Sequence, residues 1–174
     1  MSISLDHKVA IVTGSGAGLG AAYAKALAAA GAAVVVNDVS ESGAAAVVAE
    51  IRAAGGRARA VVAPVGTSAV AQQLVDAAVG DFGRLDVVVT NAGVLRDKSL
   101  LKMTDEDFDA VIDVHLRGTF TIARAAFGHF KEHAVPGASS RSAPPRVSAA
   151  TSARRTTRRR RPASSAWSAP GRSR

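Results

Sequence analysis

Val9-Ala10-Ile11-Val12-Thr13-Gly14-Ser15-Gly16-Ala17-Gly18-Leu19-Gly20 is the stretch whose reading decides the fold. Its first four residues form a short apolar run, which predicts a strand buried on both faces. The glycines after Thr13 predict a tight turn. Ala21 to Ala30 is rich in the strongest helix former, and Gly31 ends that helix. A Gly-rich turn between a strand and a helix lets backbone approach a pyrophosphate. The helix start then offers free N–H groups and a positive dipole end to that anion. A plain Gly-rich turn is the competing reading.

The same strand-helix rhythm continues outward. Ala33 to Asn37 reads as a second buried strand. Ser40 can cap a helix running to about Ala54, where Gly55-Gly56 end it. Ala58 to Val62 is a third strand, and Ser68 caps a helix through about Val79. Leu85 to Val89 is a fourth strand, ending at Thr90-Asn91-Ala92-Gly93. Thr104-Asp105-Glu106 opens a helical region with cap-like acidic chemistry. Residues 107–132 then read as one long helix, with Gly118 as the place for a bend. Four alternations with short connections predict a Rossmann-type α/β fold: a doubly wound parallel sheet with right-handed crossovers.

Asp38 follows the second strand, 18 residues after Gly20. A carboxylate there accepts hydrogen bonds from ribose hydroxyls and repels a 2′-phosphate, which favours NAD over NADP. A surface turn Asp is the alternative.

Charge divides the chain. It has 174 residues, with 22 basic and 14 acidic side chains. Residues 134–174 hold ten Arg, nine Ser, nine Ala and five Pro, with no Asp, Glu or Lys. That leaves 12 basic against 14 acidic residues in 1–133. The overall charge of +8 therefore belongs to the tail. We read 1–133 as an incomplete NAD(P)-binding Rossmann domain, broken off after the fourth strand and its long helix. Residues 134–174 read as a disordered basic tail. Nucleic acid is not the expected partner, although the run Arg158 to Arg161 is basic enough to bind one electrostatically. There is no Cys, which excludes disulfides, thiolate chemistry and zinc-thiolate sites. No metal is expected. The first eight residues lack a signal-peptide apolar stretch, and no 18-residue apolar run predicts a membrane span. The expectation is a cytoplasmic protein.

Residues 1–133 resemble the short-chain dehydrogenase/reductase family. The Thr-Gly-x-x-x-Gly-x-Gly spacing matches at Thr13, Gly14, Gly18 and Gly20. The family's Asn-Asn-Ala-Gly strand end is similar to Thr90-Asn91-Ala92-Gly93, with Thr at the first position. Leu95 to Ser99 and Val114 to Phe120 are similar to the branch containing the hydroxyacyl-CoA dehydrogenase part of peroxisomal multifunctional enzymes and bacterial relatives of it. The resemblance implies cofactor contacts at Thr13, Gly14, Ser15, Gly18, Leu19, Gly20, Asp38, Asn91, Ala92 and Gly93. It also implies strand order 3-2-1-4 and a small-molecule alcohol or ketone substrate, hydroxyacyl or steroid-like. A homo-oligomer built on the long helix is implied for the complete parent.

Three departures follow. Most of the family has Asn where this chain has His115; that residue usually orders a proton-relay water, a task an imidazole can also perform. A packed helix His without a catalytic part is the other reading. Ala63-Pro64-Val65-Gly66-Thr67 carries no acid where the family places an adenine-contacting Asp. The family's Tyr-x-x-x-Lys pair and its Ser are absent: the sole Tyr is Tyr23 and the last Lys is Lys131.

A shifted reading frame accounts for the last departure. Each codon is taken from the third base of one residue and the first two of the next. Thr156-Thr157 then permits Tyr, and Arg160-Arg161 permits Lys. From Ser142 to Ser168 a permitted reading is Ser-Ser-Ala-Ala-Gly-Val-Arg-Gly-Asn-Phe-Gly-Gln-Thr-Asn-Tyr-Ala-Ala-Ala-Lys-Ala-Gly-Ile-Val-Gly-Leu-Val. The expectation is a frameshift between about His133 and Pro136. The chain as written is then an inactive oxidoreductase by descent. The rival class is a non-catalytic NAD-binding or nucleic-acid-binding relic.

Overall fold

Strand β1 (Val9–Thr13) is buried along its whole length because both of its faces are covered. The computed structural model describes residues 4–133. Val9 and Ile11 pack with Val35, Leu74, Ile122 and Ala126, while Val12 packs with Val34, Val36, Ala24 and Val47. Side chains alternate across a strand, so a strand covered twice must be apolar at every position. This is why Val9–Val12 reads as a continuous apolar run rather than an alternating one.

Around β1 the chain winds in both directions. α1 (Gly18–Ala29), β2 (Ala33–Asp38), α2 (Glu41–Ala53) and β3 (Arg57–Val62) build outward on one side. α3 (Ser68–Phe82) then carries the chain back to β4 (Val87–Val89) on the other flank of β1. All pairings are parallel and the order is β3-β2-β1-β4, as the expected fold requires. α1 and α2 lie against one face, and α3 and α5 (Gly118–Glu132) against the other. The winding reverses between β1 and β4, and a crevice opens there at the strands' carboxyl ends.

Several boundaries moved for identifiable reasons. α1 starts at Gly18, a turn before Ala21. Ser40 does cap α2, its Oγ accepting from the Gly43 N–H at 3.1 Å. α3 is capped by Thr67 rather than Ser68, through its Oγ1 and the Val70 N–H at 3.2 Å. α3 also runs past Val79 to Phe82, because Gly83, at φ +81°, is the residue that takes the left-handed cap. Phe82 packs against the core beneath the Arg57 guanidinium.

The long helix is interrupted. α4 (Asp105–Ile112) opens on a capping box between Thr104 and Asp107. A π-helical turn, Asp113–Arg117, then leads into α5. The bend expected at Gly118 is replaced by this turn just before it. Gly118 is buried against Val65, and a Cβ there would stand 2.9 Å from Val65 Cγ2. Its smallness serves close packing.

β4 is shorter than Leu85–Val89. The Asp86 carboxylate accepts the Val9 N–H at 2.9 Å, so a side chain stands where a ladder carbonyl would be. Arg84 binds the same carboxylate through two nitrogens, at 2.8 and 2.6 Å, and Lys8 lies 3.2 Å away. Burial pushes the Asp86 carboxyl up, but the Arg84, Val9 and Lys8 bonds outweigh it and hold it below the ordinary carboxylate range. A lowered folded pKa gives stability that is present above the unfolded value and lost as pH falls through the folded one. Asp86→Asn is therefore expected to lower the urea unfolding midpoint at neutral pH. The deficit should shrink in acid below the carboxylate range. An equal deficit at both pH values would assign the effect to shape and not to charge.

Among the described residues β4 borders the sheet. Its middle residue Val88 is nonetheless buried with Ile122 and Ala126, so α5 covers the apolar side chain at the centre of this border. Among the described residues no helix is long and apolar enough to cross a membrane. The expected disorder of 134–174 and the shifted-frame segment lie outside the described residues.

Candidate nucleotide-binding site

The crevice is shaped by a clasp between two strand ends. Thr13 Oγ1 accepts the Asn91 and Ala92 N–H groups at 3.1 and 3.2 Å. In return, Asn91 Nδ2 donates to the carbonyls of Thr13 and Gly14 at 3.1 and 2.9 Å. The Gly loop and the Asn91–Gly93 segment are thereby one rigid unit. Gly14 has φ +62°, and a Cβ on it would lie 2.6 Å from Ala92 Cα. Only glycine permits that approach.

Ser15 is turned inward. Its Oγ donates to the Val12 carbonyl at 2.7 Å, and its N–H to the Asn37 carbonyl at 2.8 Å. The residue shapes the loop with its side chain buried, while Leu19 is exposed beside it. α1 differs from the helices that follow the other strands. α2, α3 and α4 each have a side-chain N-cap, whereas Ala17 supplies none to α1 and no acid occupies its first turn. The leading N–H groups of α1 keep their hydrogen-bonding capacity for an anion.

Asp38 faces this loop. Its Oδ2 accepts the Gly16 N–H at 2.8 Å and its Oδ1 the Ser40 N–H at 3.0 Å. Gly16 is required beside it, since a Cβ there would stand 2.8 Å from Asp38 Cγ. Asp38, Gly14, Asn91, Ala92 and Gly93 line one cleft of about 230 Å³. Its far wall is Ala63-Pro64-Val65 with Val94 and Val114, so the segment lacking the family's acid is an apolar wall. Gly18, Leu19 and Gly20 stand at the helix entry, outside that lining.

Sequence reading missed Asn37. It is buried, and its Nδ2 donates to the Val61 and Ala63 carbonyls at 3.0 and 2.9 Å. It thereby fixes where the Ala63–Val65 wall leaves β3. An Asn ending an otherwise apolar strand was the available signal, because buried amides need partners. Thr90, the family-divergent residue, has a buried Oγ1 with no hydrogen-bond partner among the described residues. His115 lies in the π-turn with its Nε2 3.1 Å from the Val94 nitrogen, next to the cleft wall.

A larger hollow of about 470 Å³ lies between α3 and α5, around Ser68, Arg124, His129 and His133. It shares no lining residue with the Gly-loop cleft and carries none of the motif residues.

A dinucleotide fits the Gly-loop cleft on these observations: a loop closed tightly because Gly14, Gly16 and Gly20 carry no Cβ, an uncapped helix start, and a carboxylate at the adjacent strand end. The short chain dehydrogenase family profile matches residues 8–137. The chain is 47% identical over 139 residues to peroxisomal multifunctional enzyme type 2 of Mus musculus, covering 75% of this chain and 18% of that protein. It is 50% identical over 135 residues to hydroxyacyl-CoA dehydrogenase ChsB1 of Mycobacterium tuberculosis, covering 75% of this chain and 42% of that one. The crystal structure of a short chain dehydrogenase from Mycobacterium avium superposes with a TM-score of 0.71 at 44% identity, over 76% of this chain and 50% of that one. The chain thus spans half or less of the length of these relatives. With the motifs, the strand order and these matches in agreement, the chain belongs to the short-chain dehydrogenase family.

Proposed function

We propose that residues 1–133 are the cofactor-binding part of an NAD-dependent oxidoreductase that interconverts a secondary alcohol and a ketone on a hydroxyacyl or steroid-like substrate. We further propose that residues 134–174 are an out-of-frame segment, so the chain as written does not complete the reaction. The observation that carries the cofactor preference is Asp38, whose carboxylate stands against Gly16 at the end of β2. A bound nicotinamide dinucleotide supplies the hydride acceptor or donor. The chain's part is to receive it. Gly14 and Gly20 let the loop close tightly on Ala92, Asn91 and Ser15, Gly18 leaves open space at the helix entry for its phosphates, the start of α1 offers N–H groups to their charge, and Asp38 accepts from ribose hydroxyls. Thr13 and Asn91 keep the two sides of the cleft at a set spacing. The name of the relative hydroxyacyl-CoA dehydrogenase ChsB1 supports the hydroxyacyl part of the substrate class, and the complete parent is proposed to be a homo-oligomer.

The test is titration of the full chain with NADH and with NADPH. NADH is expected to bind tighter by at least about tenfold, since a 2′-phosphate would face the Asp38 charge. Asp38→Asn keeps an acceptor for the Gly16 N–H but removes the charge, and should narrow the gap. Equal or tighter binding of NADPH by the unaltered chain would sink the preference. Binding without NADH formation from any hydroxyacyl or hydroxysteroid substrate is expected of the written chain.

A further inference from the structure

His129 lies in the last turn of α5 and His133 is its C-cap, four residues on, so both occupy one helix face. Their rings stack with centroids 4.1 Å apart. Both line the hollow of about 470 Å³ between α3 and α5.

The ring nitrogens are turned to receive a cation. His133 Nδ1 stands 3.0 Å from the His129 carbonyl. A carbonyl only accepts, so the proton is on Nδ1 and the lone pair on Nε2. Metal-bound imidazoles commonly make this bond, the far N–H donating to a backbone carbonyl and fixing the ring. Among the described residues, His129 enters hydrogen bonds through its backbone and not its ring. An edge contact with Phe130, centroids 6.2 Å apart, steadies that ring. One ion bonds imidazole nitrogens at about 2.0–2.1 Å, which needs the two nitrogens about 3–3.5 Å apart. Rings stacked at 4.1 Å reach that spacing by a small change of tilt.

The surroundings carry the right charge. The last carbonyls of α5 give the helix end a partial negative charge that favours a cation. Asp76 and Glu132 line the same hollow. Arg124 also lines it, but its guanidinium is drawn to Ser68 Oγ at 2.7 Å and lies 5.0 Å over the Phe120 ring. Among the described residues no group of three or more His, Cys, Asp or Glu is placed to hold a metal ion, so the protein donors here number two.

We propose that His129 and His133 form a two-imidazole site for a divalent late transition ion, Zn²⁺, Cu²⁺ or Ni²⁺, bound through His133 Nε2 and one ring nitrogen of His129, with water completing the shell. Imidazole suits these ions. The lack of Cys excludes thiolate ligation and leaves this kind open. The ion clips the last turn of α5, the helix whose Ile122 and Ala126 cover Val88. The hollow shares no lining residue with the Gly-loop cleft, so the proposal does not rest on the cofactor reading.

Zinc titration of the full chain by calorimetry, without nucleotide, tests it. Saturating zinc is expected to raise the thermal unfolding midpoint, since the ion favours the folded pair. His129→Phe and His133→Phe each keep a ring, and each should weaken binding at least about tenfold. His7→Gln should leave the affinity unchanged. Lys131→His combined with His133→Phe keeps the number of histidines but sets the pair two residues apart, on different faces, and should bind no better than His133→Phe. Full affinity in either Phe variant or in the displaced pair, an equal loss in His7→Gln, or no zinc binding by the unaltered chain overturns the proposal. Should a Phe variant fail to fold, the ring-nitrogen chemical shifts of the unaltered chain decide. Zinc should move those of His129 and His133, and movement confined to other histidines overturns the site.

Discussion

Gly14→Ala is expected to weaken NADH binding by at least about tenfold and to lower the unfolding midpoint. Two costs combine at this position. The left-handed backbone, φ +62°, penalises any Cβ by about 1–2 kcal/mol, a cost that falls on the stability of the loop. The new Cβ would also meet backbone, 2.6 Å from Ala92 Cα and 3.0 Å from Ala92 N. Backbone cannot swing aside as a flexible side chain can. The Thr13–Asn91–Ala92 clasp would have to open, and that clasp is what spaces the cleft walls. Gly18→Ala is the control. Gly18 has φ +56° but nothing within 4 Å of an added Cβ, so it carries the backbone strain without the collision. Fluorescence titration with NADH and thermal unfolding of both variants separate the terms. Equal losses would mean that the close approach to Ala92 contributes nothing.

The second large effect concerns catalysis. Restoring the shifted frame by a single-base insertion or deletion between codons 133 and 136 is expected to turn a silent chain into a working dehydrogenase. The restored segment would carry the Ser and the Tyr-x-x-x-Lys spacing that the written chain lacks. In the family this resembles, Tyr transfers the proton and Lys lowers its pKa. General acid–base catalysis of that kind contributes about 10²–10⁴-fold. NADH formation with a 3-hydroxyacyl thioester of coenzyme A or a hydroxysteroid should therefore rise at least about a hundredfold over the written chain. Changing the restored Tyr to Phe should return it to that level. The cheaper form of the test is the coding DNA. If its shifted frame does not spell the Ser, Tyr and Lys codons, the proposal fails before any protein is made. A restored chain that binds NADH but turns over neither substrate would remove the substrate class and keep the cofactor reading.

These two predictions draw on different kinds of information. The Gly loop was legible because its chemistry is local. A strand, a glycine turn and a helix follow one another within twelve residues, Val9 to Gly20. Asp38 was legible because it closes the next strand. The strand order followed from the alternation of elements once the family was in view. Helix ends were less legible. Thr67 and Ser68 are both competent caps, and which one serves depends on where backbone leaves the β3 side of the sheet. Gly80 and Gly83 are likewise both competent stops, and packing of Phe82 on the core carries α3 to the second.

Sequence alone determined the parallel α/β architecture, the Gly-rich turn after β1, the acidic strand end and the charge break at the tail, because each is written in neighbouring residues or in composition. Tertiary structure alone decided the Asp86 anchor on Val9, the Thr13–Asn91 clasp, the inward turn of Ser15, the Asn37 support of the β3 loop, and the π-turn that brings His115 to Val94. All but one of these join residues more than twenty positions apart, Asn91 to Thr13 being 78. The exception, Ser15 on Val12, is set by burial of the loop under its neighbours. A hydrogen bond across such separations exists only after the sheet has brought both partners to one edge. Periodicity reports which face of an element is buried, and the partner across the crevice is chosen by the fold.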